Sequence, residues 1–380
     1  MTALTTEPGP ARASVRPAQP LAITSVGVVS AAGQGLDALG GLLSSGGAGH
    51  AAPQGDDADR YPPIAVRSVA DFRLRDHVGR KGTRNLDRLT GFGLVAAKAA
   101  LAEAVEETDP DRTGVVMTTS TGSTQSLVDL AGDTLLQDRP YLVNPSRFPN
   151  TVLNCCAGQI AIWNGLRGPN ITLAAGQVSG LNAFRHARLP LSLGRADRLV
   201  VGGVEELSAA LAWGWHAAGA LAGGTAVGEG GVAFTVMTTE AAVAAGARVH
   251  AEVASVETGL HPAARGDRAG ALAGYAARAL EAAGLSPDDV TEVSYGSTGL
   301  VGLERAERRG VAAALGRVPA AHEVSGAVGQ CYSAAGAMQV AGTLARWRRE
   351  PADRPRTALV TALGHDGGLG ALVLREGGGR

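Results

Sequence analysis

Residues 176–204 read GQVSGLNAFRHARLPLSLGRADRLVVGGV, and residues 329–363 read GQCYSAAGAMQVAGTLARWRREPADRPRTALVTAL. Each stretch begins with Gly-Gln, continues as a helix rich in small residues and ends as a short buried strand. The predicted strands are Arg198–Val204 in the first stretch and Thr357–Leu363 in the second, which follows the predicted helix Ala334–Arg346. The shared order predicts two duplicated α/β halves, with equivalent Gly-Gln positions at two helix N-termini.

A second repeat supports the same duplication. The amphipathic helix Leu86–Val105 precedes a Pro/Asp turn and the strand Thr113–Thr119. The helix Leu272–Ala283 likewise precedes a Ser-Pro-Asp-Asp turn and the strand Val290–Ser294. A further buried strand is predicted at Ala22–Val29. Helices that alternate with short β-branched runs favour a layered α/β fold.

Composition excludes several classes of protein. The chain has 380 residues, 45% of them hydrophobic, and a formal net charge of −1. A near-zero charge gives no reason to expect nucleic acid or an anionic membrane as a partner. The sequence has no apolar run of about 18 residues, the length that would predict a membrane span. Three cysteines provide neither a disulfide framework nor metal-ligand spacing, so we expect a cytoplasmic protein with reduced thiols and no metal.

Three segments are expected along the chain. Residues 1–20 are rich in Pro, Ala, Thr and Arg without an apolar core, which predicts a disordered N-terminal tail. Residues 21–245 would form the N-terminal half together with interface insertions, and residues 246–380 would form the C-terminal half. Duplicated halves bring equivalent helix N-termini close to a pseudo-two-fold axis. The unpaired N–H groups there suit a nucleophile, an oxyanion or a bound carbonyl, so the two Gly-Gln turns are the candidate site.

Six short motifs resemble the β-ketoacyl synthase family, and within it the chain-length-factor, or ketosynthase-β, branch of type II polyketide systems. Each motif is weak alone, but the six occur in the family's order. The resemblance implies a thiolase-like fold, a five-layered α/β/α/β/α sandwich of two duplicated halves. The motifs are Ile23–Gly33, Phe148–Gly158, Gly165–Thr172, Gly194–Glu205, Gly228–Phe234 and Gly336–Gln339.

The family's catalytic positions are degenerate in this sequence. Gln177 occupies the position of the acyl-accepting Cys, and a carboxamide cannot form a thioester. Tyr295 replaces the His of the family's His-Gly-Thr motif. Ser325 and Gln330 replace the Lys and His of the Lys-Ser-x-x-Gly-His motif. The closing Gly-Phe-Gly-Gly loop is altered to residues 364–368 (GHDGG). The resemblance therefore implies that no catalytic residue remains.

Loss of the chemistry with retention of the scaffold predicts a partner subunit. The resemblance implies a non-catalytic chain-length factor that forms a heterodimer with an active ketosynthase and shapes its polyketide tunnel. The acyl carrier protein would dock mainly on that partner, and no cofactor is implied. Whether the chain is an enzyme by itself stays open. One alternative is a malonyl-carrier decarboxylase using Gln177, with Tyr295 and Gln330 as neutral donors. Another is a homodimeric ketosynthase-like pseudoenzyme.

The tunnel and interface residues are expected on two helices. Leu127, Leu130 and Ala131 would share one face of a helix that begins near Gln125, and the small Ala131 and Gly132 would leave room for a longer chain. The alternative is an ordinary buried helix face. Cys155 and Cys156 lie in the segment that, by resemblance, packs at the dimer interface, although buried Cys is usually inert packing. Cys331 could face the degenerate pocket.

Overall fold

The computed structural model describes residues 19–52, 58–104, 109–262 and 265–378. Nearly all of the predicted tail, residues 1–20, therefore lies outside the described residues. Among the described residues, no helix is both long and apolar enough to cross a membrane. Likewise, no group of three or more His, Cys, Asp and Glu side chains in these segments could hold a metal ion.

Thirteen strands are found in the described segments. In chain order they are β1 (Leu21–Ser30), β2 (Gly33–Gln34), β3 (Val66–Arg67), β4 (Thr113–Thr118), β5 (Asn170–Leu173), β6 (Arg198–Glu205), β7 (Val227–Gly228), β8 (Gly230–Thr238), β9 (Ala251–Leu260), β10 (Glu292–Tyr295), β11 (Ala320–Glu323), β12 (Thr357–Leu363) and β13 (Gly368–Glu376).

Twelve α-helices are found in the same segments, together with several short 3₁₀ helices. They are α1 (Gly35–Ser45), α2 (Leu74–Val78), α3 (Arg88–Ala102), α4 (Thr124–Leu136), α5 (Cys155–Asn164), α6 (Ser179–Ser192), α7 (Ala209–Ala217), α8 (Thr239–Ala244), α9 (Arg268–Ala282), α10 (Glu304–Leu315), α11 (Ser325–Val328) and α12 (Ala335–Arg349).

The strand order shows the duplication directly. The five strands β5-β4-β6-β8-β1 have the same arrangement as β11-β10-β12-β13-β9. In each set three parallel strands are followed by two antiparallel ones. The sets meet where Leu21–Ile23 of β1 pairs with residues 251–253 of β9. The predicted duplication of an α/β half is therefore confirmed.

Helices α6 and α12 lie between the two sets of strands, and the largest core cluster surrounds them. Helices α3 and α5 cover the outer face of the first set, and α9 and α10 cover that of the second. The two central helices approach closely because Gly180 and Gly336 meet. A Cβ on Gly180 would lie 2.6 Å from Ala337 N and 2.8 Å from Gly336 Cα. The thiolase-like fold is confirmed.

Capping residues set several boundaries differently from the apolar pattern. Helix α3 begins at Arg88 rather than Leu86, because the Asp87 side chain accepts a hydrogen bond from Thr90 N at 2.6 Å. Helix α4 begins at Thr124, because Ser123 caps it through Ser126 N. Strand β10 runs from Glu292 to Tyr295, shifted toward the C-terminus from the predicted range. The Gly-Gln turns stand ahead of α6 and α12, as the repeat predicts.

Candidate functional site

The structure brings the two Gly-Gln turns together. Gln177 lies in the 3₁₀ turn Gly176–Val178 that leads into α6, and Gln330 precedes the turn that leads into α12. The Gln177 Nε2 group donates a hydrogen bond to Gln330 Oε1 at 3.2 Å. Both side chains are 1% exposed. Gln177 and Gln330, the expected counterparts of a nucleophile and a donor, are thus linked by one hydrogen bond.

Backbone carbonyls fix the orientation of both carboxamides. Gln177 Nε2 also donates to Gly296 O at 3.1 Å, and Gln330 Nε2 donates to Thr298 O at 2.7 Å and Gly296 O at 3.4 Å. Rotating either amide would place oxygen against oxygen, so these assignments are set by the network. Both NH₂ groups are therefore engaged. Gln177 Oε1 is buried and has no hydrogen-bond partner in the described part of the chain.

Tyr295 points away from this pair. Its ring packs in the outer core beneath α9 and α10, with the Arg308 guanidinium 4.6 Å from the ring centroid. Burial raises the pKa of the Tyr295 phenol. Because the phenol lies beside Arg308 and not beside Gln177, it is not the second donor to a thioester carbonyl that the decarboxylase alternative requires. That expected role of Tyr295 is wrong.

The remaining motif position, Ser325, lines a narrow gap that Tyr295 also lines. Ser325 begins α11, and its Oγ is buried without a hydrogen-bond partner among the residues described. The gap is about 10 Å³, too small for a ligand, and also contains Cys331. The Cys331 thiol is 1% exposed, burial raises its pKa, and Sγ contacts Gly329 O at 3.5 Å. Cys331 is an inert packing residue and does not line the cavity beside Gln177.

A cavity of about 260 Å³ opens onto Gln177, and its walls are mainly apolar. Trp215 and Tyr332 form one wall, with their rings in edge-to-face contact at 5.3 Å. Tyr332 has a φ of +42°, a conformation that is rare for a residue with a side chain. Neither residue was selected from the sequence. The signal for Tyr332 was its position two residues after Gln330. The remaining wall residues are Leu211, Gly214, Ala218, Ala220, Leu300 and His365.

The altered closing loop covers the first Gly-Gln turn. Asp366 accepts a hydrogen bond from Gly368 N at 2.9 Å and lies against Gly176. Gly176 has a φ of +58°, and a Cβ there would clash with the Asp366 carboxylate. Only glycine therefore fits this turn. Burial raises the pKa of the Tyr332 phenol, and the negative charge of Asp366 raises it further.

Buried carboxyl groups anchor the start of α4, and sequence reasoning missed them. Glu206 accepts hydrogen bonds from Gln125 N at 2.8 Å and Ser123 Oγ at 3.1 Å. Its neighbour Glu205 accepts from Ser120 N at 2.6 Å and from Ser333 Oγ. Burial raises the pKa of Glu206 to about 8 and that of Glu205 to about 7. Glu206 also lines a polar cavity of about 550 Å³ beside α4.

The raised pKa of Glu206 predicts a pH-dependent stability. The folded chain keeps a proton that the unfolded chain releases between pH 4.5 and about 8. This contribution to the free energy of unfolding is complete below pH 4.5 and is lost as the pH rises toward 8. The slope is at most ~1.4 kcal/mol per pH unit for one group. Urea midpoints should fall from pH 6 to pH 8, and fall less in Glu206→Gln. An equal fall in both proteins would contradict this prediction.

The predicted tunnel helix is exposed rather than part of the core. No residue of α4 is buried, and Leu127 is 51% exposed. Ala131 is exposed, and Leu130 and Gly132 are half-buried. The alternative of an ordinary buried helix face is therefore wrong. Of the two cysteines expected at the dimer interface, Cys156 is 2% exposed and belongs to the core beneath α3. Its thiol therefore offers no surface to a partner.

Its neighbour Cys155 is half-buried, and its Sγ lies 3.7 Å from Asn150 Oδ1. Burial raises the pKa of the Cys155 thiol. Cys156 packs with Ile160 and with residues of α3 in one apolar cluster. Of the two cysteines, only Cys155 keeps part of its surface accessible.

A thiolase-like fold, in which the N-termini of α6 and α12 meet at Gln177 and Gln330, defines the class of protein. Residues 18–242 match the family model described as the β-ketoacyl synthase N-terminal domain. The chain belongs to the β-ketoacyl synthase family.

A polyketide β-ketoacyl synthase and a 3-oxoacyl-(acyl-carrier-protein) synthase are among the proteins similar to this chain. The actinorhodin polyketide β-ketoacyl synthase 2 of Streptomyces coelicolor is 30% identical over 404 residues, which cover 93% of this chain and 98% of that protein. The 3-oxoacyl-(acyl-carrier-protein) synthase 2 of Vibrio cholerae is 27% identical and covers 77% of each. The solved ishigamide ketosynthase/chain length factor superposes with a TM-score of 0.83 at 33% identity, covering 94% of this chain and all of that one.

Proposed function

We propose that this chain is a non-catalytic chain-length factor of a type II polyketide synthase, which pairs with an active ketosynthase and shapes its tunnel. The observation that carries the proposal is Gln177, held at the nucleophile position by Gln330 and Gly296. Its carboxamide cannot accept an acyl group, and the network holds it in place. The activity would reside in the partner, to which the acyl carrier protein mainly docks.

The carboxamide network argues against decarboxylation by this chain. Enolate formation after loss of CO₂ needs donors aimed at the thioester carbonyl. The NH₂ groups of Gln177 and Gln330 both donate to protein acceptors, and Tyr295 lies under Arg308. The group that Gln177 leaves unpaired is an acceptor, Oε1, which would repel a carbonyl or enolate oxygen.

An exposed apolar surface supports a role at an interface. Helix α4 and the residues that follow it, up to the start of α5, carry large apolar side chains at least 40% exposed. We call this the α4 surface. Contiguous exposed apolar side chains of this kind usually mark an interaction site. A partner of the same fold fits the proposal, since the similar ishigamide protein is named as a ketosynthase/chain length factor. The members are Leu127, Val128, Leu135, Leu136, Tyr141, Leu142, Phe148, Val152 and Leu153.

Co-expression with a candidate ketosynthase partner tests the proposal. We expect a stable 1:1 heterodimer by size-exclusion chromatography with light scattering. We also expect the chain alone to release no CO₂ from malonyl-carrier above the background rate. The Gln177→Ala variant serves as the control, because it should leave that rate unchanged. CO₂ release that Gln177→Ala abolishes would establish the decarboxylase instead. A homodimer that excludes the ketosynthase would establish the homodimeric ketosynthase-like pseudoenzyme.

Gly132 is proposed to leave room for the growing chain. It lies on the half-buried side of α4, and a Cβ at this position would meet no atom within 4 Å in the protomer. Gly132→Leu should therefore fold normally and shorten the product of the heterodimer by one or more two-carbon units, measured by mass spectrometry. Thr134→Leu, two residues further on α4 and exposed, is the control and should leave the product unchanged. Unchanged products in Gly132→Leu would remove this position from the tunnel.

A further inference from the structure

A cavity of about 280 Å³ lies where the two sets of strands meet. It shares no described wall residue with the cavity beside Gln177. Two of its wall residues, Thr24 and His250, flank the pairing of β1 with β9. His250 N donates a hydrogen bond to Ile23 O at 2.9 Å, which closes that pairing. The cavity therefore lies at the joint between the two duplicated halves.

Three guanidinium groups line this cavity, each from a different part of the fold. Arg198 begins β6 of the first set and is 6% exposed. Arg248 lies in the loop before β9, and Arg348 lies in the last turn of the central helix α12. Glu103 is the one carboxylate among the described wall residues. These wall residues are therefore positively charged on balance, although the chain as a whole has a net charge of −1.

Two of these guanidinium groups are available to a ligand. The Arg248 side chain makes no hydrogen bond or ion pair with any described residue. Arg348 Nε lies 3.4 Å from Asp37 Oδ1, but both side chains of this pair are more than half exposed. An exposed ion pair of this kind is weak, so an anion in the cavity can compete for the guanidinium.

The His250 imidazole is exposed to the charge of these groups. It is half-buried, and its ring nitrogens make no hydrogen bond with any described residue. Burial, and after it the charges of Arg248 and Arg348, lowers the pKa of the His250 imidazole to about 4. Both guanidinium groups therefore act on the same small space inside the cavity, and an anion placed there would interact with both.

We propose that this cavity binds a phosphate group, either as inorganic phosphate or as the monoester of a small metabolite. Phosphate oxygens accept hydrogen bonds from guanidinium groups in a geometry that matches their planar fork. A volume of about 280 Å³ suits a small anion, because sites for drug-sized ligands span about 300–1,000 Å³. The phosphate would join Arg248 to Arg348 across the joint and stabilise the folded chain. The proposed function is not needed for this site, since every contact is made within the chain.

Calorimetric titration of the full chain with inorganic phosphate and with glycerol 3-phosphate, at constant ionic strength, tests the proposal. We expect one site per chain, and tighter binding of glycerol 3-phosphate would identify a monoester as the ligand. Arg248→Gln with Arg348→Gln should weaken binding at least about tenfold, because charge-assisted hydrogen bonds are lost. Both arginines are exposed, so this double variant should fold. Arg309→Gln, exposed on α10 and outside the cavity, is the matched control and should leave the affinity unchanged.

The NMR signal of His250, assigned with His250→Gln, locates the bound phosphate. Phosphate would offset the charges of Arg248 and Arg348, so the pKa of His250 should rise from about 4 as the site fills. Glu103 and Asp37, the acidic groups beside these side chains, are the same in every variant. Phosphate also stabilises proteins by exclusion from their surface, an effect that does not saturate. Absence of saturable binding, or equal affinity in the double variant, would overturn the proposal.

Discussion

Leu127→Asp combined with Phe148→Asp is expected to abolish the heterodimer. These side chains are 51% and 61% exposed in the protomer and belong to the α4 surface. Burying a large apolar side chain is worth about 1.5–3 kcal/mol. Placing a carboxylate at an apolar contact adds a desolvation penalty. The loss should therefore exceed ~3 kcal/mol, more than 100-fold in affinity. Co-purification with a tagged ketosynthase measures it.

The control for this experiment lies on another face. Val318 is 73% exposed and stands between α10 and β11, away from the α4 surface. Val318→Asp should leave the heterodimer intact. Because Leu127 and Phe148 are already exposed, the double variant should unfold at nearly the same urea concentration as the unchanged chain. A heterodimer that survives the double substitution would show that the partner binds elsewhere.

The duplication could be predicted because it depends on local order. Each half repeats the same order of Gly-Gln turn, small-residue helix and β-branched strand. Such an order can be recognised in the amino-acid sequence without knowledge of the tertiary structure. The predicted strand Thr357–Leu363 has the observed bounds, and β6 extends the predicted strand by one residue to Glu205. The positions of Gln177 and Gln330 at helix N-termini followed from the same order. Their mutual hydrogen bond is long-range, and no local pattern encodes it.

Side-chain direction at the site could not be predicted. Tyr295 ends β10, and its direction depends on where that strand begins and on Arg308 of α10 packing over it. The sequence therefore suggested a donor where the structure has a core residue. Glu206 was missed for a related reason. A carboxylate after a strand is typical of a solvated loop, and only the packing of α4 buries it.

The exposure of α4 could not be predicted from the sequence either. Leucines at helical spacing predict an apolar face, but that pattern is the same for a core helix and for an interface helix. The decision between them rests on what covers the face, which is a property of the tertiary structure. In this protomer the described residues leave Leu127 51% exposed. The exposed face is the strongest physical reason to look for this chain's role outside its own pocket.

Glu229→Ala is expected to cause the largest loss of stability. Glu229 is 1% exposed and joins three separate segments. It accepts hydrogen bonds from Val69 N at 2.8 Å and Leu207 N at 3.0 Å, and it pairs with Arg88 at the start of α3. Removing it leaves two buried N–H groups without their acceptor and takes the carboxylate away from Arg88, which keeps the hydrogen bond to Val69 O at 2.9 Å. Breaking such a pair costs about 3–5 kcal/mol.

Urea unfolding of Glu229→Ala, Glu229→Gln and the unchanged chain measures this effect. Glu229→Gln keeps one acceptor oxygen but loses the charge, so an intermediate loss is expected. Glu240→Ala, at an exposed position in α8, should change the free energy of unfolding by less than about 0.5 kcal/mol. Glu229 holds Leu207, and the preceding residue, Glu206, anchors α4. Glu229→Ala should therefore also weaken the heterodimer in the absence of urea, where the chain stays folded. A stability loss without that second effect would show that α4 holds its position independently of Glu229.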